Sequence, residues 1–89
     1  MKKVSRTNRF RRDLKLVRKQ GLDLKKLDVI VERRRNRVDL DERHHLHRLS
    51  GKWVGAWECH VTPDWLLIWY ETEDELILAR TGSHSELFE

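Results

Sequence analysis

Apolar positions along the chain change their period once, near residue 50. Before that point Phe10, Leu14 and Val17 recur at i, i+4 and i+7 and leave Arg11, Arg12, Lys15, Arg18 and Lys19 to water, which predicts an amphipathic helix. Thr7 or Asn8 can cap its start, and Gly21 supplies a left-handed position at its end. Asp23 then caps a second helix with Leu24, Leu27, Ile30 and Val31 on one side, and Arg33-Arg-Arg-Asn-Arg37 sets cations against its negative dipole end. The short link predicts an antiparallel pair. Two such narrow stripes cannot bury each other, so both must pack on something else. Ahead of them, Lys2 to Arg6 can add a short N-terminal edge strand around Val4.

From Val38 to Ser50 the period disappears, and Asp39-Leu-Asp-Glu-Arg-His-His-Leu-His47 reads as a loop or a short turn of helix. Beyond it Trp53, Gly55, Trp57, Cys59 and Val61 alternate with Val54, Ala56, Glu58 and His60. Trp65 to Tyr70 is continuously apolar, and Leu76 to Thr81 nearly so. Thr62-Pro63-Asp64 and Thr72-Glu73-Asp74 are short polar breaks that predict hairpins between adjacent antiparallel strands. The middle strand, apolar on both faces, should be central. The expected fold is therefore a single α+β domain over 1–89, with two N-terminal antiparallel helices packed on a small curled antiparallel sheet. Its helical half spans about 7–37, its loop 38–50 and its sheet half 51–89.

A chain of 89 residues buries only about 60–65% of its unfolded surface, so four tryptophans are useful core material. The lone Cys59 excludes an internal disulfide framework and reads as a small buried strand residue; a reducing cytoplasm is the default compartment. Met1 to Phe10 has no apolar run behind its positive start, and nowhere do about 18 uncharged residues follow one another, so neither secretion nor membrane insertion is expected. Charge is segregated: residues 1–37 hold 15 Lys and Arg against 4 Asp and Glu, and residues 38–89 hold 4 against 11. Such a basic half attracts polyanions, which makes nucleic acid or an acidic protein segment the expected partner. The alternative is that these cations only solvate two helices.

The sheet half carries the candidate chemistry. His60 ends the first strand and Asp64 begins the next across a proline turn, while Arg80 closes the third strand and His84 follows Gly82. If the third strand runs parallel in direction to the first, all four reach one end of the sheet. RNA cleavage by 2′-hydroxyl attack needs a proton acceptor, a proton donor and fixed positive charge at the phosphate. Histidine suits the first two roles near neutral pH and arginine the third. Asp64 can orient an imidazole, favour its charged form or itself act as base. His44, His45 and His47 invite a metal reading, but no carboxylate or thiolate completes a ligand signature, so no metal or cofactor is expected.

The segments Leu46-His-Arg-Leu-Ser-Gly-Lys-Trp53, Glu58-Cys-His-Val-Thr-Pro-Asp-Trp-Leu-Leu-Ile-Trp-Tyr70 and Leu78-Ala-Arg-Thr-Gly-Ser-His-Ser-Glu-Leu-Phe88 resemble the YafQ branch of the RelE/ParE toxin superfamily. The resemblance implies a RelE-like fold and a ribosome-dependent mRNA endoribonuclease of a type II toxin-antitoxin system. It further implies an antitoxin partner, commonly in a heterotetramer of two toxins and an antitoxin dimer. It places His47, His60, Asp64 and His84 on the family's catalytic positions, and Arg80 on the phosphate-contacting arginine, Trp65 beside the catalytic aspartate and Phe88 on the C-terminal aromatic as residues that contact phosphate or RNA. Arg48 stands where the family usually has proline after the first histidine, which leaves His45 or His44 as alternatives for His47.

Each residue also has an ordinary role open to it. His60 can be a hydrogen-bonded strand end, Asp64 a turn residue, Arg80 the cross-sheet partner of Glu58, and His84 part of a frayed tail; Trp53, Trp57 and Trp69 read as core. Three functions thus compete: an RNase toxin, a ParE-like gyrase poison on the same fold, and a non-catalytic RNA- or ribosome-binding module.

Overall fold

Thr7 and Asp23 start the helices, and their caps are formed. In the computed structural model, which describes residues 1–88, Thr7 Oγ1 accepts from the Phe10 N–H at the head of α1 (Asn8–Lys19), and Asp23 accepts from the Lys25 N–H at the head of α2 (Leu24–Arg35). Gly21, at φ 78°, turns the chain between them. Phe10, Val17, Leu27 and Ile30 are the buried helix residues, and they pack on Cys59, Trp65, Leu67, Trp69, Leu76 and Leu78 in one core.

The strands are β1 (Lys3–Arg6), β2 (His47–Arg48), β3 (Trp57–Thr62), β4 (Trp65–Glu71) and β5 (Glu75–Gly82), in the spatial order β1-β5-β4-β3-β2. Both polar breaks make antiparallel hairpins, so β5 runs in the direction of β3. Three features differ from expectation. The sheet is mixed, because β1 lies parallel to β5; the helices between them provide the long connection that parallel pairing needs. Residues 47–48 form an edge strand inside the expected loop, created by two ladder positions opposite Glu58 and Trp57 rather than by any local period. The first long strand starts at Trp57, not Trp53, because Gly51–Trp53 coils into a 3-10 turn and Gly55 takes φ 93°.

A second apolar cluster covers the opposite face of the sheet. There Ala56, Leu66, Ile68 and Ala79 meet Leu87 of a final helix, α3 (His84–Phe88), where a tail was expected. Strand β4 is apolar from Trp65 to Trp69 because that stretch serves both clusters. Trp65, Leu67 and Trp69 belong to the helix side, and Leu66 and Ile68 to the α3 side. Trp53 and Trp57 are only partly buried, and Arg34 of α2 lies over the Trp57 and Trp69 rings at 5.4 and 5.7 Å. Cys59 is fully buried, and desolvation, with the Glu58 charge as the smaller cause, pushes its thiol up to about 12.

One buried hydrogen-bond chain ties β4 to β5. The Trp65 indole N–H donates to Thr81 Oγ1 at 2.8 Å, and that hydroxyl donates to the Leu66 carbonyl at 2.8 Å. Thr81→Val leaves the indole donor unpaired and should cost about 1–3 kcal/mol, whereas Thr81→Ser should recover most of the loss. Urea unfolding at constant m-value measures both; equal stability of the valine and threonine proteins would refute the chain's role.

Candidate active site

Strand register places the candidate residues. Across the sheet His47 is opposite Glu58, Glu58 opposite Ile68, and Ile68 opposite Arg80. Directly opposed residues share a face, so one lateral row holds an imidazole, a carboxylate, an apolar centre and an arginine. The neighbouring row is His60, Leu66, Gly82. Two strand spacings, about 10 Å, separate the His60 and Gly82 backbones, and His84 follows at the start of α3. His47, His60 and Arg80 thereby share one face of the sheet, the face on which α3, the helix that carries His84, packs through Leu87.

Hydrogen bonds settle which ring nitrogens are committed. His60 Nδ1 lies 3.2 Å from the Pro63 carbonyl; a carbonyl only accepts, so Nδ1 holds the proton and the neutral ring keeps a free lone pair at Nε2. His47 faces an acceptor on both sides, the His45 carbonyl at 2.7 Å from Nδ1 and Glu58 Oε1 at 3.0 Å from Nε2. Satisfying both requires a proton on each ring nitrogen, or one kept on Glu58. The two alternatives to His47 flank His60 instead: His44 Nδ1 donates to the His60 carbonyl at 2.6 Å, and the His45 ring stands edge-on to the His60 ring at 5.5 Å.

Glu58, legible from sequence only as a partner for Arg80, joins the candidate site through His47. Its side chain is 7% exposed, it pairs with His47, and its second oxygen has no hydrogen-bond partner. The signal was present in Glu58-Cys-His60, since a spacing of two puts both side chains on one strand face. Arg80 pairs with Asp13 of α1, through Nε to Oδ2 at 2.7 Å and Nη2 to Oδ1 at 3.2 Å. Asp13 was legible only as the one acid in a basic helix.

Other assignments shift as well. Trp65, expected to touch RNA, is 1% exposed and bonded to Thr81, so it supports the site from beneath and offers no surface to a bound strand. Asp64 is exposed in the turn after Pro63, and no hydrogen bond joins it to a histidine among the described residues. Phe88 is 38% exposed and lies against the His84 ring at 5.0 Å. No three His, Cys, Asp or Glu side chains among the described residues converge to hold a metal ion, and no helix there is long and apolar enough to cross a membrane.

The pose of α3 is set by a reciprocal cap. The Ser83 N–H donates to Glu86 Oε1 at 2.7 Å, and the Glu86 N–H donates to Ser83 Oγ at 3.3 Å. Gln20 at the end of α1 donates to Glu86 Oε2 at 3.0 Å. Gly82 makes room: a Cβ there would stand 3.1 Å from Glu86 Oε1, at a φ of 153° that disfavours other residues.

Comparison with known proteins gives the class first. Residues 2–89 match the family described as bacterial toxin of type II toxin-antitoxin system, YafQ. The mRNA interferase toxin YafQ of Escherichia coli K12 is 34% identical over 86 residues, covering 96% of this chain and 94% of the relative. A copper-bound L66S mutant toxin from Helicobacter pylori superposes with a TM-score of 0.94 at 39% identity, over 99% of this chain and 100% of the other. YafQ in the E. coli DinJ-YafQ complex gives 0.90 at 32% identity, over 100% of both chains. The chain belongs to the YafQ toxin family.

Acid should release α3. The Glu86 carboxyl is held below its ordinary range, first by the Ser83 backbone N–H and further by the Ser83 hydroxyl, Gln20 and Arg80, against some desolvation. A lowered carboxylate pKa stabilises docking fully above the unfolded value and loses that contribution as pH falls through the lowered one. Leu87 methyl resonances should therefore move toward unfolded positions on the acid side of the carboxylate range. Glu86→Gln should abolish that step; an unchanged titration in the variant would contradict the cap.

Proposed function

We propose that this protein is an mRNA endoribonuclease toxin that cuts by attack of a 2′-hydroxyl on the adjacent phosphate, acting on ribosome-bound message and silenced by a cognate antitoxin. The observation that carries the reading is His60, whose Nδ1 is tied to Pro63 while Nε2 is free, on the face that also carries His47, Arg80 and His84. In the proposed reaction His60 Nε2 takes the 2′-hydroxyl proton as the 2′-oxygen bonds to phosphorus. The bond to the 5′-oxygen breaks, and His84, exposed beside Phe88, supplies the proton that the departing oxygen needs. The products are a 2′,3′-cyclic phosphate and a free 5′-hydroxyl. Arg80 supplies positive charge at the phosphate, His47 stands in the same row with Glu58 as its partner, and Asp64, exposed at the turn, can serve as an alternative base. Histidines carry the protons and a guanidinium carries the charge, so this chemistry calls on no metal.

The partners follow from charge. The helical half is basic and outward-facing, which suits ribosomal RNA and the acidic segments of an antitoxin. The DinJ-YafQ complex of a 32% identical relative supports an antitoxin here too, on the family's pattern of two toxins with an antitoxin dimer.

Expression without antitoxin should arrest growth, with primer extension revealing discrete cuts in mRNA. His60→Ala and His84→Ala should each slow cleavage by about 10²–10⁴-fold while retaining a native circular dichroism spectrum. Arrest with intact mRNA and damaged DNA would favour a gyrase poison. Salt-sensitive ribosome binding with no cuts would favour a non-catalytic module.

A further inference from the structure

We infer that Asp13 of α1 is the positioning residue for Arg80, fixing which of its N–H groups meet the scissile phosphate; this rests on the endoribonuclease reading above. A guanidinium has five N–H donors. Asp13 engages two of them, on Nε and Nη2, and leaves Nη1 and the second Nη2 hydrogen uncommitted. The pair is 12% and 11% exposed, so neither side chain swings freely in water. Asp13 is itself anchored, since Oδ2 also accepts the Thr81 N–H at 3.2 Å, and Arg9 lies 3.9 Å from Oδ1. The clamp sits where β5 is bulged. Opposite the single step from Trp69 to Ile68, β5 advances from Leu78 to Arg80, and the additional residue Ala79 receives a hydrogen bond from Thr7 Oγ1. A bulge re-aims the side chain that follows it, and here Arg80 enters the row of Ile68, Glu58 and His47 with its guanidinium held from the side by a helix. A freely moving arginine would supply the same charge without the same geometry.

The test is cleavage of a defined mRNA on programmed ribosomes by the wild type, Asp13→Asn, Arg80→Ala and the double variant. Arg80→Ala should lower kcat by about 10²-fold. Asp13→Asn should lower kcat by about tenfold with little change in KM, and should add nothing in the Arg80→Ala background. Asp13→Glu, which keeps the charge but shifts the guanidinium, should fall between wild type and Asp13→Asn. The Arg80 Nε–H resonance, shielded from solvent exchange in the wild type and exposed to it in Asp13→Asn, reports the clamp independently of activity. An Asp13→Asn protein with unchanged or raised kcat, or one losing as much activity without Arg80 as with it, overturns the inference while leaving the nuclease intact. A wild type that cuts nothing overturns both readings.

Discussion

One additional residue in β5 decides where the chemistry stands. Leu76 and Leu78 point into the core beneath the helices, and unbroken alternation would send Arg80 after them. Ala79 breaks that phase, so Arg80 comes level with Ile68 and Thr81 with Leu67. The guanidinium is thereby freed from the core, and the Thr81 hydroxyl is turned toward the Trp65 indole. The same few residues anchor α1, through Thr7 to the Ala79 carbonyl and through Asp13 to Arg80 and Thr81. Core, helix and site share one fastening point.

Much of this arrangement was legible from local pattern. The helix caps at Thr7 and Asp23, the stop at Gly21, the hairpins around Pro63 and Glu73, and the burial of Cys59 all follow from short-range chemistry that the structure reproduces. The features that escaped are those in which distant segments decide. Strand β2 exists because β3 offers it two ladder positions, and β1 pairs in parallel because it meets β5 across most of the chain. The short α3 has a local cap, Ser83 with Glu86, but it is held in place by distant groups, Leu87 on the sheet and Gln20 more than sixty residues upstream.

The site divides along the same line. Spacing and register suffice to bring His60 and Gly82 level across the sheet, since both depend only on consecutive hairpins, whereas His84 beyond them depends on α3. Ion-pair partners are another matter. Glu58 chose His47 and Arg80 chose Asp13, and neither choice follows from sequence distance. Trp65 lies in the core because β4 must fill both faces of a small sheet, and adjacency in sequence to Asp64 does not carry it to the surface. The basic helices, by contrast, are unchanged in reading: their cations remain at the surface, apart from Arg34, whose guanidinium bonds to Glu71 over two tryptophans, and the half-buried Arg35, which bonds to the Lys2 carbonyl.

The central claim is that β3 and α3 present two imidazoles to a single phosphate. Titrating the protein with a short RNA carrying a 2′-deoxy sugar at the cut position, while following the His60 and His84 ring protons by NMR, examines it most directly. Both resonances should shift together along one binding curve, with Arg80 following. Movement confined to the basic helices, or separate curves for the two histidines, would contradict the account.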